Sequence, residues 1–283
     1  MHQVSTIHNV PSRPLLNMYQ VAFRPQQTTA MQHASGKYHS QCPLLCNMHQ
    51  IGCHVLWMFL IQKNFAIICP VPPPCKCTTY SGQRAYCSRL NFTQIPNLVK
   101  SGGTWIIDFR NNNIETINAE AFRNFQLEQV YLSINSISNV DDDAFSGSET
   151  SMDVVRLDGN KLKLIPIALT RLPNLIGINV QYNPITELDE NILKTMSKSL
   201  IGMSFGSSSM TSWPVSLQQL NNLLMLSIYN LPISEFPDNA FKGFEKTLSF
   251  FEVISSNLRH IPVSMNKLVN LKYVNFKDNR FIT

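Results

Sequence analysis

The sequence predicts an α/β repeat solenoid, with a parallel sheet on its concave side and short helical or irregular segments on its convex side. Three observations predict it. From Ile107 onward, apolar residues recur at offsets 0, 2, 7 and 10 of a unit that usually carries Asn at offset 5. The units start at Ile107, Val130, Val155, Ile178, Met203, Leu226, Phe251 and Val274, so that spacings of 23 and 25 residues alternate. Four cysteines stand immediately before the first unit. A fixed period of roughly 20 to 50 residues marks stacked supersecondary units, none of which can bury its apolar face alone.

The chain begins with a leader of a different composition. Of 23 Lys and Arg residues, Arg13, Arg24, Lys37 and Lys63 lie in residues 1–68, where there is no Asp or Glu; all 18 acids lie from Asp108 onward. The formal charge of +5 is therefore mostly the leader's, and the remainder, with 19 basic and 18 acidic residues, is nearly neutral. A basic balance confined to a leader gives no reason to expect nucleic acid as a partner. Residues 1–47 have no apolar period and read as an unstructured leader or a spurious extension. Within residues 48–68, the run Ile51 to Ile61 is apolar but shorter than the roughly 18 residues a membrane span needs. It reads as a secretory signal peptide, with a signal anchor as the alternative; no small-x-small cleavage site precedes Cys69. Composition excludes the other broad classes. With 44% apolar and 14% charged residues, the chain is neither disordered throughout nor collagenous nor a polytopic membrane protein.

Residues 69–98 form the next element, with Cys69, Cys75, Cys77 and Cys87 in the spacing C-x5-C-x-C-x9-C. Four cysteines allow three disulfide connectivities. Zinc is the competing reading, weakened by the lack of a nearby His and of paired C-x2-C motifs.

Residues 99–283 hold eight units, the last incomplete. Offsets 0 and 2 are alternate residues of a short strand, so both point inward while their neighbours point outward. Asn112, Asn135, Asn160 and Asn183 sit where the chain turns, where an amide can donate and accept between adjacent turns. Offsets 7 and 10 fill the interior, and Phe122, Phe145 and Phe241 near offset 15 anchor the convex side. The alternation of spacings defines a 48-residue superrepeat. Its short member tends to place Pro after offset 10 (Pro166, Pro214, Pro262), which favours an extended start to the next segment. Its long member is richer in acids, and Asp141 to Asp143 read as helix-turn caps rather than a calcium site. Ser208, Leu231 and Ser256 replace the turn Asn, so less regular later units are expected.

The units and the cysteine block together resemble extracellular leucine-rich-repeat proteins with a cysteine-rich amino-terminal cap, over about three quarters of the chain. The resemblance implies a horseshoe, Cys69–Cys77 and Cys75–Cys87 disulfides, and a secreted or cell-surface location, since disulfides need an oxidising compartment. In that compartment the sequon Asn91-Phe92-Thr93 would be a glycosylation site. The long unit AFxGFExTL followed by one ending in Ile-Pro is also similar to arthropod repeat proteins that include the non-catalytic subunit of oplophorus-luciferin 2-monooxygenase. That likeness implies a scaffold subunit whose enzymatic partner is another polypeptide.

Motifs for chemistry are absent: there is no Gly-rich phosphate loop, no H-E-x-x-H and no G-x-S-x-G, and His260 alone among the body's residues is a histidine. No enzyme activity, cofactor, metal or small-molecule substrate is expected. Repeat folds work through broad surfaces, and the outward strand positions define one. The first row is Asp108, Tyr131, Arg156, Asn179, Ser204, Ser227, Glu252 and Asn275; the second is Arg110, Ser133, Asp158, Gln181, Gly206, Tyr229, Ile254 and Lys277. Eight strands at about 4.8 Å make a face roughly 35 Å across. Its candidate contact residues are Asp108, Arg110, Tyr131, Arg156, Asp158, Asn179, Gln181, Tyr229, Glu252 and Asn275. Mixed polar chemistry with scattered aromatics suits a protein ligand, a partner subunit or a glycan better than nucleic acid. The competing reading makes both rows merely the solvated side of a sheet. If they bind, charge reversal at Arg156 or substitution of Tyr131 weakens the partner and spares stability. The chain stops at Thr283 without a carboxy-terminal cysteine cap, which suggests a fragment or an end covered by a partner.

Overall fold

The computed structural model of the chain describes residues 69–80, 82–123 and 125–282. The leader, with its apolar run and Cys42, Cys46 and Cys53, lies outside them. Alternating inward apolar residues make each unit begin with a short strand, and the strands join one ten-stranded sheet. Its members in spatial order are β1 (Lys76–Thr78), β2 (Gln83–Tyr86), β3 (Thr104–Asp108), β5 (Gln126–Tyr131), β7 (Val154–Arg156), β8 (Gly177–Asn179), β9 (Gly202–Phe205), β10 (Met225–Tyr229), β11 (Phe250–Ile254) and β12 (Tyr273–Asn275). The β1–β2 pair is antiparallel and every later pair is parallel. β4 (Thr116–Ile117) and β6 (Asn139–Val140) form a second, two-stranded parallel pair. The result is a parallel-dominated α/β-like architecture with little helix.

The register is the one the period requires. Ile107 pairs with Val130, Val130 with Val155, Val155 with Ile178, Ile178 with Met203, Met203 with Leu226, Leu226 with Phe251 and Phe251 with Val274. Those from Ile107 to Phe251, with their partners at offsets 2 and 7, belong to one apolar core that runs from Val71 to Leu268, and Val274 is partly exposed. One expectation fails at its far end. Ile261, assigned to the interior at offset 10, is exposed, as is Phe281 at offset 7. Each has a residue at its own offset on one side only among the described residues, Phe236 for Ile261 and Leu258 for Phe281, and the Phe281 ring also meets that of Phe276 at 5.8 Å.

The turn asparagines form a ladder. Asn135 donates from Nδ2 to the carbonyls of Phe109 (3.0 Å) and Leu132 (2.9 Å), and its Oδ1 accepts from the Ile114 N–H (3.1 Å). Asn112, Asn160 and Asn183 repeat the pattern, and Asn279 resumes it at the last unit. Between them it lapses. Ser256 accepts from the Leu231 N–H, a partial replacement, while Leu231 has no side-chain group to offer.

Pro and Asp divide the segments that follow the strands. The three 3-10 helices Ile167–Arg171, Val215–Gln219 and Val263–Lys267 are preceded by Pro166, Pro214 and Pro262 in extended conformation. The long unit instead starts α1 (Glu190–Met196) from Asp189, whose carboxylate accepts the N–H groups of Asn191 and Ile192. Asp141, at the start of a run of turns and not of a helix, accepts the Asp143 N–H at 2.9 Å. Short and long members are then tied together. Arg171 pairs with Asp142 and Asp143, Gln219 donates to Glu190 (2.6 Å) and Lys267 donates to the Asp238 carbonyl (3.2 Å). Each link runs from the end of a Pro-started segment to the acidic start of the preceding long one, giving the 48-residue superrepeat a physical basis.

Candidate functional site

At the amino-terminal end, Cys69–Cys77 and Cys75–Cys87 are disulfide-bonded, the pairing that the cap resemblance implies. They brace the β1–β2 hairpin, whose second strand carries the sheet onward by pairing with β3. Asn91 lies exposed beside this hairpin in a left-handed turn. His260 is exposed.

The parallel register brings the first outward row together as one ladder. Asp108, Tyr131, Arg156, Asn179, Ser204, Ser227, Glu252 and Asn275 pair in succession, and Tyr86 extends the row to β2. The strands supply position, and lateral bonds supply rigidity. Asp108 receives Arg110 in a two-pronged ion pair at 2.9 and 2.6 Å, which raises the Arg110 guanidinium above its ordinary value. Arg110 and Arg156 both approach the Tyr131 ring, at 5.6 and 4.7 Å from its centre. The Tyr131 hydroxyl donates to Gln129 (2.7 Å), and Ser133 donates to Asp158 (2.6 Å). Burial dominates the ionisations here: it lowers Arg156 and raises Tyr131 and Asp158.

Neutral side chains fill the middle of the face, where Ser204 donates to Gln181 (3.2 Å) and Asn179 accepts the Gln181 N–H (3.2 Å). At the other end Glu252 is the hub. It accepts from Ser227 (3.0 Å), Tyr229 (3.3 Å) and Asn275 (3.2 Å). Seven of the ten candidate residues, namely Asp108, Tyr131, Arg156, Asn179, Gln181, Tyr229 and Glu252, are buried, while Arg110, Asp158 and Asn275 are partly exposed. Substituting Arg156 or Tyr131 would therefore disturb packing as well as any contact, contrary to the expectation that such changes spare stability.

Sequence reasoning missed a third row on the same face. Val154, Gly177, Gly202, Met225, Phe250 and Tyr273 pair in succession one residue before the inward positions. Val154, Met225 and Phe250 form an apolar cluster distinct from the main core, and Phe250 stacks on Tyr273 at 4.3 Å. Extending the strand alternation one residue upstream would have found it. No protein-family model matches this chain, and no curated protein matches it. Among the described residues no group of three or more His, Cys, Asp or Glu side chains is placed to hold a metal ion, and no helix is long and apolar enough to cross a membrane.

One carboxylate near this face is poorly satisfied. Asp153 Oδ1 is buried without a hydrogen-bond partner, and burial, with Glu128 nearby, pushes the carboxyl up to about 6. A carboxyl raised on folding binds its proton more tightly in the folded state, so stability falls as pH rises from about 4 through 6 and is level above. The rise from 3.8 to about 6 sets a ceiling of about 3 kcal/mol. Asp153 is partly exposed, and screening brings the expected effect to about 1 kcal/mol. Asp153→Asn is expected to stabilise the protein by that amount at pH 7 and to flatten this part of the pH profile, as read by chemical denaturation between pH 4 and 8.

Proposed function

We propose that this chain is an extracellular leucine-rich-repeat binding module, curved into a horseshoe, that recognises a protein partner, or a glycan on one, through the outward face of its sheet. The observation that carries the reading is the in-register ladder from Tyr86 to Asn275, in which polar and aromatic side chains are held rigid by bonds to their neighbours. Side chains locked in this way lose little conformational freedom on binding, which favours specific recognition over catalysis. The apolar row from Val154 to Tyr273 beside it supplies the anchor type that protein interfaces use. Disulfides at the cap support an oxidising, extracellular compartment, in which Asn91 is glycosylated.

The test uses the exposed members of the face. Wild-type chain immobilised at its natural glycosylation state should capture a partner from extracellular fluid of the source. Tyr86→Ser and Lys277→Glu, at exposed outward positions on β2 and just beyond β12, should each reduce that capture at least tenfold. Their melting temperatures should stay within about 2 °C of wild type, as for surface changes worth under about 0.5 kcal/mol. Equal capture by both variants would remove the face from the binding mechanism.

A further inference from the structure

Beyond the turn, where each unit runs from offset 6 to offset 9, adjacent units are laced together a second time. Ser136 donates its N–H to Ile114, Ser138 to Glu115, Lys161 to Ile137, Thr186 to Lys163, Arg259 to Ser234, Arg280 to Leu258 and Ile282 to Arg259, at 2.8 to 3.3 Å. The fifth unit is left out. Among the described residues, no backbone hydrogen bond joins 209–213 to the same stretch of the fourth unit or of the sixth. The causes are local. Pro232, at offset 6 of the sixth unit, has no N–H to donate. Ile233 turns its N–H back to Leu231 (2.9 Å), and Ser209 and Met210 turn theirs back to Ser207 (3.1 and 3.2 Å). Ser208 and Leu231 stand where Asn ties the turns of the earlier units.

A cavity of about 500 Å³ lies at this gap, lined by residues 211–213 of the fifth unit and 232–237 of the sixth. That volume is in the range of small-ligand sites. Trp213 and Phe236, both buried and with ring centres 4.4 Å apart, supply the aromatic part of the lining. Trp213 is the exception at offset 10, which Ile117, Val140, Ile165 and Leu188 fill in the earlier units without bringing in a donor. Its Nε1 is buried with no hydrogen-bond partner, whereas Trp105 donates its own to the Gly102 carbonyl (3.3 Å). A buried donor left unpaired is unfavourable and uncommon in native folds. The rest of the lining is polar and exposed: the hydroxyls of Thr211, Ser212 and Ser234 and the Glu235 carboxylate.

We propose that this cleft between the fifth and sixth units binds a neutral saccharide unit, with Glu235 accepting from a sugar hydroxyl and the Trp213 indole donating to a sugar oxygen. The donor and acceptor set decides the class. Hydroxyls that give or take a proton, a carboxylate that only accepts and an indole that only donates match a ring of hydroxyl groups, and Pro232, Pro237 and the aromatic rings match its C–H faces. An anion would meet Glu235 and find no Lys, Arg or His in the lining. An apolar ligand would strip water from three hydroxyls and pair none of them. With no lateral backbone bond holding 209–213, that stretch can shift and bring the buried indole onto the ligand. The cleft lies outside the main sheet, so the proposal does not depend on the partner-binding reading of the sheet face.

The test follows the indole N–H resonances of the full chain, made with isotope-labelled tryptophan, while disaccharides of glucose, galactose, mannose and N-acetylglucosamine are each added to roughly 20 mM, above the millimolar Kd of a weak small ligand. Trp213→Phe identifies the Trp213 signal by removing it. At least one sugar should move that signal saturably and leave the Trp105 signal, already hydrogen-bonded, in place. Glu235→Ala and Ser234→Ala should each weaken that sugar at least threefold, with melting temperatures within about 2 °C of wild type because both positions are exposed. A Trp213 signal that no sugar moves overturns the proposal, as does undiminished affinity in both variants. A proline-rich peptide that moves the signal where the sugars do not would also overturn it, making the cleft a peptide groove instead.

Discussion

Replacing Gly206 with alanine is expected to destabilise the protein by about 3 kcal/mol or more, the largest loss any single added methyl should cause here. A Cβ at that position would overlap the carbonyl oxygen, carbon and nitrogen of Tyr229, and none of those backbone atoms can swing aside as a side chain could. The φ of +148° adds a conformational penalty for any L side chain. At the same offset the other units carry Arg110, Ser133, Asp158, Gln181, Tyr229, Ile254 and Lys277, so the close approach is particular to the fifth unit. It falls where the asparagine ladder lapses, between Asn183 and Asn279. Gly102→Ala provides the control. Nothing lies within 4 Å of a Cβ there, and the change should stay within about 0.5 kcal/mol. Urea denaturation of the two variants side by side checks the pair; equal small losses would mean that the backbone at Tyr229 yields readily.

The contrast between Gly206 and its equivalents shows what the sequence could and could not disclose. Offsets 0 and 2 of each unit are a covalent spacing, and that spacing alone predicted every main-sheet pairing from Ile107 to Val274. The Pro166 and Asp189 starts were equally legible, because each acts on its own backbone through a fixed φ or a short side-chain bond. Lateral relations were not. That Tyr131 lies between two guanidinium groups, or that Glu252 gathers three donors from β10 and β12, depends on residues brought in from 21, 23 or 25 positions away, whose rotamers no local pattern encodes. The same holds for Ile134, just past β5, whose backbone is left-handed. Ile134 looks like any exposed loop isoleucine until its N–H is seen bonded to Asp158. Face membership could be read from the sequence, whereas burial within the face could not.

Lateral dependence also decides how the fold should fail. Phe241→Ala is expected to cost about 3–5 kcal/mol, as for loss of a fully buried aromatic ring. Its ring contacts those of Trp213, Phe236, Phe244 and Phe251, at 6.1, 6.1, 6.1 and 5.1 Å, so one truncation opens a cavity shared by three consecutive units. Phe145 occupies the same offset four units earlier, where among the described residues its ring neighbour is Phe122, stacked at 5.7 Å. Because each strand bonds only to the strands beside it, damage at Phe241 should remain regional. Hydrogen exchange should accelerate in β10 and β11 while β3, held by the disulfide-braced hairpin, keeps its protection. Uniform loss of protection from β3 to β12 would instead show that the whole sheet opens as a single cooperative unit.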